Sequence, residues 1–270
     1  PWLRLRACRA GMLVETGEMA AGRAEFEALL VLTAQPADAA IHALVLLERG
    51  VHRSRSGDWA IAQQDLISAC EQLKRQGPAL DRDLCLGHLA NHYQRVGDID
   101  EALQLLQTLN DAARQRGATC DSAIYSFGIG QNHQARRRWA EAIRSFDEAS
   151  EANKRLGENV GMSYSEHATA YSLLKLGRVQ EALDFAQRAL DHLDRSADPR
   201  QYDLNVVTRA EALAALGRAA EANAELDRVE SAMRTRAEQP SLAAWLGARA
   251  AAMRQLGRWR EAYQALAEER

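Results

Sequence analysis

Apolar and polar residues follow a three-and-four spacing along most of this chain, the signature of amphipathic α-helices rather than strands. The spacing also repeats. Gly17, Gly57, Gly97, Gly177, Gly217 and Gly257 are separated by multiples of forty residues, and the missing member of the series, position 137, is Arg137. Counted from these anchors, offset +5 is always small: Gly22, Ala62, Ala102, Ala142, Ala182, Ala222 and Ala262. Offset −7 is also small: Ala10, Gly50, Ala90, Gly130, Ala170, Ala210 and Ala250. Offset +9 is apolar in every copy: Phe26, Leu66, Leu106, Phe146, Ala186, Leu226 and Leu266. So is offset +2, which runs from Met19 and Trp59 to Trp139 and Trp259. Offsets +2, +5 and +9 share one helical face. Small residues at −7 and +5 therefore let two antiparallel helices approach, and the residue at +9 fills the space beside them.

A fixed period of this length predicts stacked helix-turn-helix units. The anchor glycine ends a helix A in the left-handed conformation, and Asp58 and Asp98 are placed to cap the helix B that follows. Further stops come at Gly77, Gly117 and Gly157. Pro36, Pro78, Pro199 and Pro240 fall at junctions between repeats, where no helical N–H is lost. Gly87, Gly128 and Gly130 lie inside predicted helices, where glycine costs ~1 kcal/mol relative to alanine. Close helix packing or backbone open to a ligand accounts for glycines there.

The segments Gly-Asp-Ile-Asp-Glu-Ala (97–102), Gly-Arg-Val-Gln-Glu-Ala (177–182) and Gly-Arg-Trp-Arg-Glu-Ala (257–262) resemble the inter-helix turn of tetratricopeptide repeats. The small residue seven before the glycine matches helix A of the same family. The resemblance covers the whole chain. It departs from the family in its period, forty rather than the usual 34, with the extra residues in a longer helix B such as 99–116. Gly22 in repeat 1 and Arg137 in repeat 4 are further departures. Long-repeat arrays of bacterial regulators and of kinesin light chains are similar. The resemblance implies an all-α superhelix, a solenoid of about seven repeats spanning residues 1–270 as one domain, whose A helices line a concave groove.

In that family the groove residues fall ten, nine, six, three and two positions before the anchor. Carried over, these are His88, Asn91, Gln94 and Arg95 in repeat 3, Phe127, Gln131 and Gln134 in repeat 4, and His167, Tyr171 and Lys175 in repeat 5. Repeats 6 and 7 are plainer there, with Val207, Thr208, Glu211 and Ala214, then Gly247, Ala248, Ala251 and Arg254. The resemblance thus implies a central surface of amides, imidazoles and aromatic rings that takes a protein, a peptide or a small polar effector. The carboxylate clamp of chaperone-binding arrays needs Lys or Arg with paired Asn, and only Asn91 and Lys175, two repeats apart, approach it. That partner class is not expected.

Composition narrows the classes further. The 270 residues carry 34 Lys and Arg against 37 Asp and Glu, a net charge of −3, which lacks the basic excess of a nucleic-acid binder. No apolar run approaches the ~20 residues of a membrane helix. A cytoplasmic protein with neither nucleic acid nor membrane as partner is expected. Cys8, Cys70, Cys85 and Cys120 include no C-x-x-C pair, and the expectation is free, mostly buried thiols in a reducing compartment. High Ala and Arg with only three lysines suggests a bacterial genome of high GC content.

Candidate chemistry is sparse. His88 and His92 have a spacing that can hold a metal, with Cys85, His133 or Asp83 as third ligand. The pair points one ring to the groove and the other to packing neighbours, so two hydrogen-bonded helix histidines are expected, and no metal. No phosphate loop or nucleophile elbow is present, and Gly128-Ile129-Gly130-Gln131 lies within a helix with no strand before it. Neither catalysis nor a cofactor is expected of this region. Glu101, Glu141, Glu181 and Glu221 read as first-turn acids favoured by the helix dipole, and Arg136-Arg137-Arg138 as an exposed turn. The chain opens at Pro1 without methionine, and its last helix B stops at Arg270, short of the position about 276 to which the period carries it. Polar capping helices are missing, so a piece of a longer protein is expected. The expected function is a sensor or regulatory domain that controls an attached output domain. The resemblance of Leu86–Tyr93 leans towards a diguanylate cyclase as that output, and the alternative is an interaction scaffold with none.

Overall fold

The computed structural model describes residues 2–236 and 239–268. Among them the chain forms fourteen α-helices, one 3₁₀ turn (Pro36–Asp38) and no strand. The helices are α1 (Trp2–Glu15), α2 (Met19–Leu32), α3 (Ala39–Ser56), α4 (Trp59–Gln76), α5 (Ala79–Val96), α6 (Ile99–Gln115) and α7 (Thr119–Ala135). They continue as α8 (Trp139–Leu156), α9 (Asn159–Lys175), α10 (Val179–Asp191), α11 (Pro199–Ala215), α12 (Ala219–Arg236), α13 (Gln239–Gln255) and α14 (Trp259–Glu268). Odd-numbered helices are the A helices and even-numbered ones the B helices, so the fold class is the expected all-α array of seven helix-turn-helix pairs. By contacts the chain divides into two compact units, Pro1–Ala112 and Ala113–Arg270.

The turn at each anchor is built by the backbone. The six anchor glycines hold φ between 72 and 94°, and Arg137 takes their place at φ 55°. The next N–H then reaches back to the carbonyl five residues earlier, as in Asp98 N to Tyr93 O (2.9 Å) and Arg258 N to Met253 O (2.9 Å). This closes the helix C-terminus. Gly77 differs: it is extended, φ −88° and ψ 156°, because the following Pro78 excludes the helical region.

Capping departs from expectation. Asp58 stands at the N-cap of α4 with no side-chain capping bond. Asp198 does cap α11, accepting from Gln201 N at 3.0 Å. In four other turns an arginine stands at this place, Arg138 with no side-chain capping bond and the other three paired with helix B. Arg178, Arg218 and Arg258 each donate Nε and Nη2 to the two oxygens of Glu181, Glu221 and Glu261, at 2.5–2.7 Å. The glutamates are thus more than dipole partners: the bidentate pair ties the turn to the first turn of helix B.

Packing follows the sequence register. The small residues at −7 and +5 are buried in every repeat, and the residue at +9 is buried in all but the last. A Cβ on Gly130 would lie 2.4 Å from Cε1 of Phe146, and one on Gly50 would lie 2.9 Å from Cγ of Leu66. Close packing therefore explains the glycine at 130. The cysteine expectation is corrected. Cys70 on α4 and Cys85 on α5 form a disulfide, with Cα atoms 5.5 Å apart, within the span such a bond bridges. Cys8 and Cys120 are free but exposed rather than buried. The fifteen-residue spacing of the bonded pair hides a contact that only the packing of α4 on α5 creates.

Candidate functional site

In the second unit, polar side chains tie each A helix to the next. Gln134 on α7 donates from Nε2 to Ala168 O (3.0 Å) and Ser172 Oγ (2.8 Å) on α9. His167 on α9 shares a 2.9 Å hydrogen bond with Thr208 Oγ1 on α11, and Asn205 on α11 donates to Ser163 Oγ on α9 at 2.8 Å. Gln255 on α13 donates to Ala214 O on α11 at 2.7 Å. These bonds span roughly one period and lay α7, α9, α11 and α13 side by side, so residues of equal register form rows across them. In the first unit His92 Nδ1 and Ser54 Oγ make the same kind of bond between α5 and α3, at 2.9 Å.

The row six before the anchor carries Gln131, Tyr171 and Glu211. Gln131 is exposed, Tyr171 sits at the boundary of exposure, and Glu211 is half-buried. The Lys175 ammonium lies 4.7 Å from the Tyr171 ring centroid, a cation–π contact. The Trp139 ring meets Tyr171 edge-on, with centroids 6.2 Å apart. Among the described residues Glu211 has neither a hydrogen bond nor an ion pair. Burial pushes its carboxyl up to about 7, against the pull of the Lys175 charge. The row thus offers an amide, an aromatic ring carrying a cation, and a carboxyl that changes charge near neutrality.

The other residues expected at the groove divide in two. His88 and Gln94 are half-buried in the first unit, where burial, and then the charge of Arg55, lowers the His88 pKa; Asn91 and Arg95 are exposed. In the second unit Phe127 turns into the core, 5.4 Å from the Phe146 ring and 6.3 Å from Tyr164. Gln134 and His167 are engaged in the bonds between helices. Burial pulls the His167 pKa down to about 4, which keeps the ring neutral. Gln131, Tyr171 and Lys175 remain open, and Trp139 and Glu211 join them. Glu211 shares the register of Gln131 and Tyr171, which is the signal that marks it in the sequence.

The His88–His92 spacing holds no metal geometry: the His92 ring is buried on Ser54, and no group of three His, Cys, Asp or Glu suited to a metal occurs among the described residues. Arg136, Arg137 and Arg138 are all exposed. A cleft of about 620 Å³ lies elsewhere in the second unit, between the end of α6, the start of α7 and α8, lined by Arg114, Thr119, Ser122, Asp147, Glu151 and Arg155 among others. Arg114 pairs with Glu148 at 2.6 Å on its wall, and burial pushes the Asp147 carboxyl up. Among the described residues no helix is long and apolar enough to cross a membrane.

Two family models, both described as tetratricopeptide repeat, match residues 121–195 and 85–118. No curated protein matches. Among solved structures the chain is similar to aspartyl phosphate phosphatase F from Bacillus subtilis, with 13% identity and a TM-score of 0.77 over 98% of this chain and 68% of that one. It is also similar to a signal transduction ATPase with a tetratricopeptide repeat sensor from Pyrococcus horikoshii, with 13% identity and a TM-score of 0.79 over 98% of this chain and 41% of that one. A third similar structure is NprR in complex with its cognate peptide NprX, with 14% identity and a TM-score of 0.63 over 98% of this chain and 76% of that one. At these identities the likeness is one of fold.

Proposed function

The chain is an array of tetratricopeptide repeats, and from that premise we propose that it is the recognition part of a bacterial regulatory protein, binding a peptide or a protein segment on its A-helix face. The observation that carries the proposal is the row Gln131–Tyr171–Glu211, with Lys175 seated on the tyrosine ring. An extended peptide presents backbone N–H and C=O groups, which an exposed amide such as Gln131 pairs with, and side chains that stack on an aromatic ring. A similar fold holds a peptide in the NprR complex, which supports the reading. In the first unit Asn91 stands at the register of Gln131 and Tyr171, and Arg95 at that of Lys175.

The test is selection of binders from a random peptide library on the purified chain, followed by calorimetric titration. Replacing Gln131 and Tyr171 together by Ala is expected to weaken binding at least tenfold with helicity unchanged, since truncated aromatic anchors commonly cost more than ~1 kcal/mol. Undiminished affinity would move the site elsewhere. The finer reading joins this region to a diguanylate cyclase, so that peptide binding changes the rate of cyclic dinucleotide synthesis by the protein that carries it. The scaffold alternative predicts capture of a folded partner and no enzymatic output.

A further inference from the structure

Glu211 on α11 lies between two unlike neighbours. On the α9 side stand Tyr171 and Lys175. The Lys175 ammonium is seated on the tyrosine ring, 4.7 Å from its centroid, and makes no ion pair with the carboxyl. On the α13 side, Gln255 donates to Ala214 O at 2.7 Å, which fixes the register of α13 against α11. One turn back from that contact Ala251 stands beside Glu211, and a further turn back Gly247 stands beside Val207. The helices before α13 carry larger side chains at both registers: Phe127, His167 and Val207 ten before the anchor, and Gln131, Tyr171 and Glu211 itself six before it. On α13 these shrink to Gly247 and Ala251, both half-buried.

Helix packing does not explain the glycine at 247. A Cβ on Gly50, Gly130 or Gly161, which also lie inside helices, would come within 3.0 Å of a neighbouring side chain, whereas one on Gly247 meets nothing within 4 Å. Glycine in a helix interior is destabilising relative to alanine, and here it leaves open space beside a carboxyl. That carboxyl is half-buried and has neither a hydrogen bond nor an ion pair among the described residues. Burial makes its charged form costly without a partner. The same burial holds its pKa at about 7 against the pull of Lys175. A cation brought to the carboxyl from the open side would favour the charged form and offset that cost.

Resting on the recognition face proposed above, we infer that the peptide it takes carries a basic side chain, whose cation enters the space over Gly247 and Ala251 and pairs with Glu211. The methylene stem of an arginine or lysine suits walls made of glycine and alanine, while its charged head ends at the carboxyl. Lys175 keeps its place on Tyr171, and the arriving cation approaches from the other side of Glu211.

Peptides selected on the chain from a random library at pH 8, where the Glu211 carboxyl is mostly ionised, should share an arginine or lysine at one position. The test is a double-mutant cycle by calorimetric titration. A selected peptide, and its analogue with that basic residue replaced by glutamine, are each titrated into the chain and into its Glu211→Gln variant. The analogue should bind the chain about tenfold more weakly or worse, and Glu211→Gln should bind both peptides alike, within about twofold. Gly247→Leu, at a position with room for the new side chain, should weaken the basic peptide about tenfold with helicity unchanged. Three results overturn the inference: selected peptides that share no basic residue, an analogue that loses as much on Glu211→Gln as on the chain itself, or full affinity in Gly247→Leu. The variant with Gln131 and Tyr171 both replaced by Ala separates this inference from the reading it rests on. If that variant loses binding while the cycle shows no coupling, the recognition face stands and the basic side chain falls. If it binds undiminished, both fall.

Discussion

Gly130 on α7 faces the ring of Phe146 on α8, and replacing it by alanine sets two effects against each other. Alanine is favoured over glycine in a helix interior by ~1 kcal/mol. The added Cβ, however, would lie 2.4 Å from Cε1, 2.6 Å from Cδ1 and 2.9 Å from Cζ of Phe146, and a carbon pair needs roughly 3.5 Å or more. The ring cannot step aside easily, since Phe146 is fully buried and Phe127 packs on it at 5.4 Å. Forcing the helices apart by an ångström is overpacking, which costs ~1–3 kcal/mol and at times more. The clash should win, leaving Gly130→Ala less stable by ~1–2 kcal/mol. Gly247 on α13 is the control, because a Cβ there meets nothing within 4 Å. Gly247→Ala should gain ~0.5–1 kcal/mol. Urea denaturation followed by circular dichroism measures both. If Gly130→Ala gained stability as Gly247→Ala does, α7 and α8 would not be this close and the role assigned to the −7 register would fail.

Arg137 is the only described non-glycine residue with positive φ, so Arg137→Gly should relieve left-handed strain and raise the urea midpoint by the equivalent of ~0.5–1 kcal/mol after glycine's entropic cost; a lowered midpoint would contradict this. Glu211 has its folded pKa raised from 4.5 to about 7, so its stabilising contribution is complete below 4.5 and is lost as pH rises through 7. Glu211→Gln should therefore abolish a loss of ~1–3 kcal/mol between those limits, discounted for partial exposure, and identical pH profiles for the two proteins would contradict the assignment. His167 has the opposite history, its pKa lowered from 6.5 to about 4, and costs stability as pH falls from 6.5 towards 4 because only the unfolded chain then takes up the proton readily. His167→Gln should flatten that acid limb by ~1–3 kcal/mol, and an unchanged limb would place the ring in water.

The register of the fold is legible in the sequence because it rests on size and backbone conformation, which a single residue reports. Ala102 or Ala142 must be small, Leu66 or Phe146 must fill, and Gly97 must take positive φ, whatever their neighbours. The polar surface is less legible. Gln131 and Gln134 stand on the same helix at neighbouring registers, yet one is open and the other bonds to α9. What separates them is whether a side chain reaches a partner a period away, which depends on helix separation rather than on residue type. The same holds for Cys70 and Cys85, joined across α4 and α5, and for Phe127, whose ring finds Phe146 and leaves the groove. Glu211 stands among plain neighbours in the sequence, and that plainness is what leaves its half-buried carboxyl without a hydrogen bond among the described residues.

The most direct test of the recognition face is photo-crosslinking. A peptide selected on the chain, carrying a photoreactive residue at its centre, is irradiated in the complex and the adducts are mapped by mass spectrometry. Adducts on α7, α9 and α11 around Gln131, Tyr171 and Glu211 are the predicted result. Adducts concentrated instead in the cleft of Asp147, Glu151 and Arg155 would contradict the account and move recognition to the B-helix side.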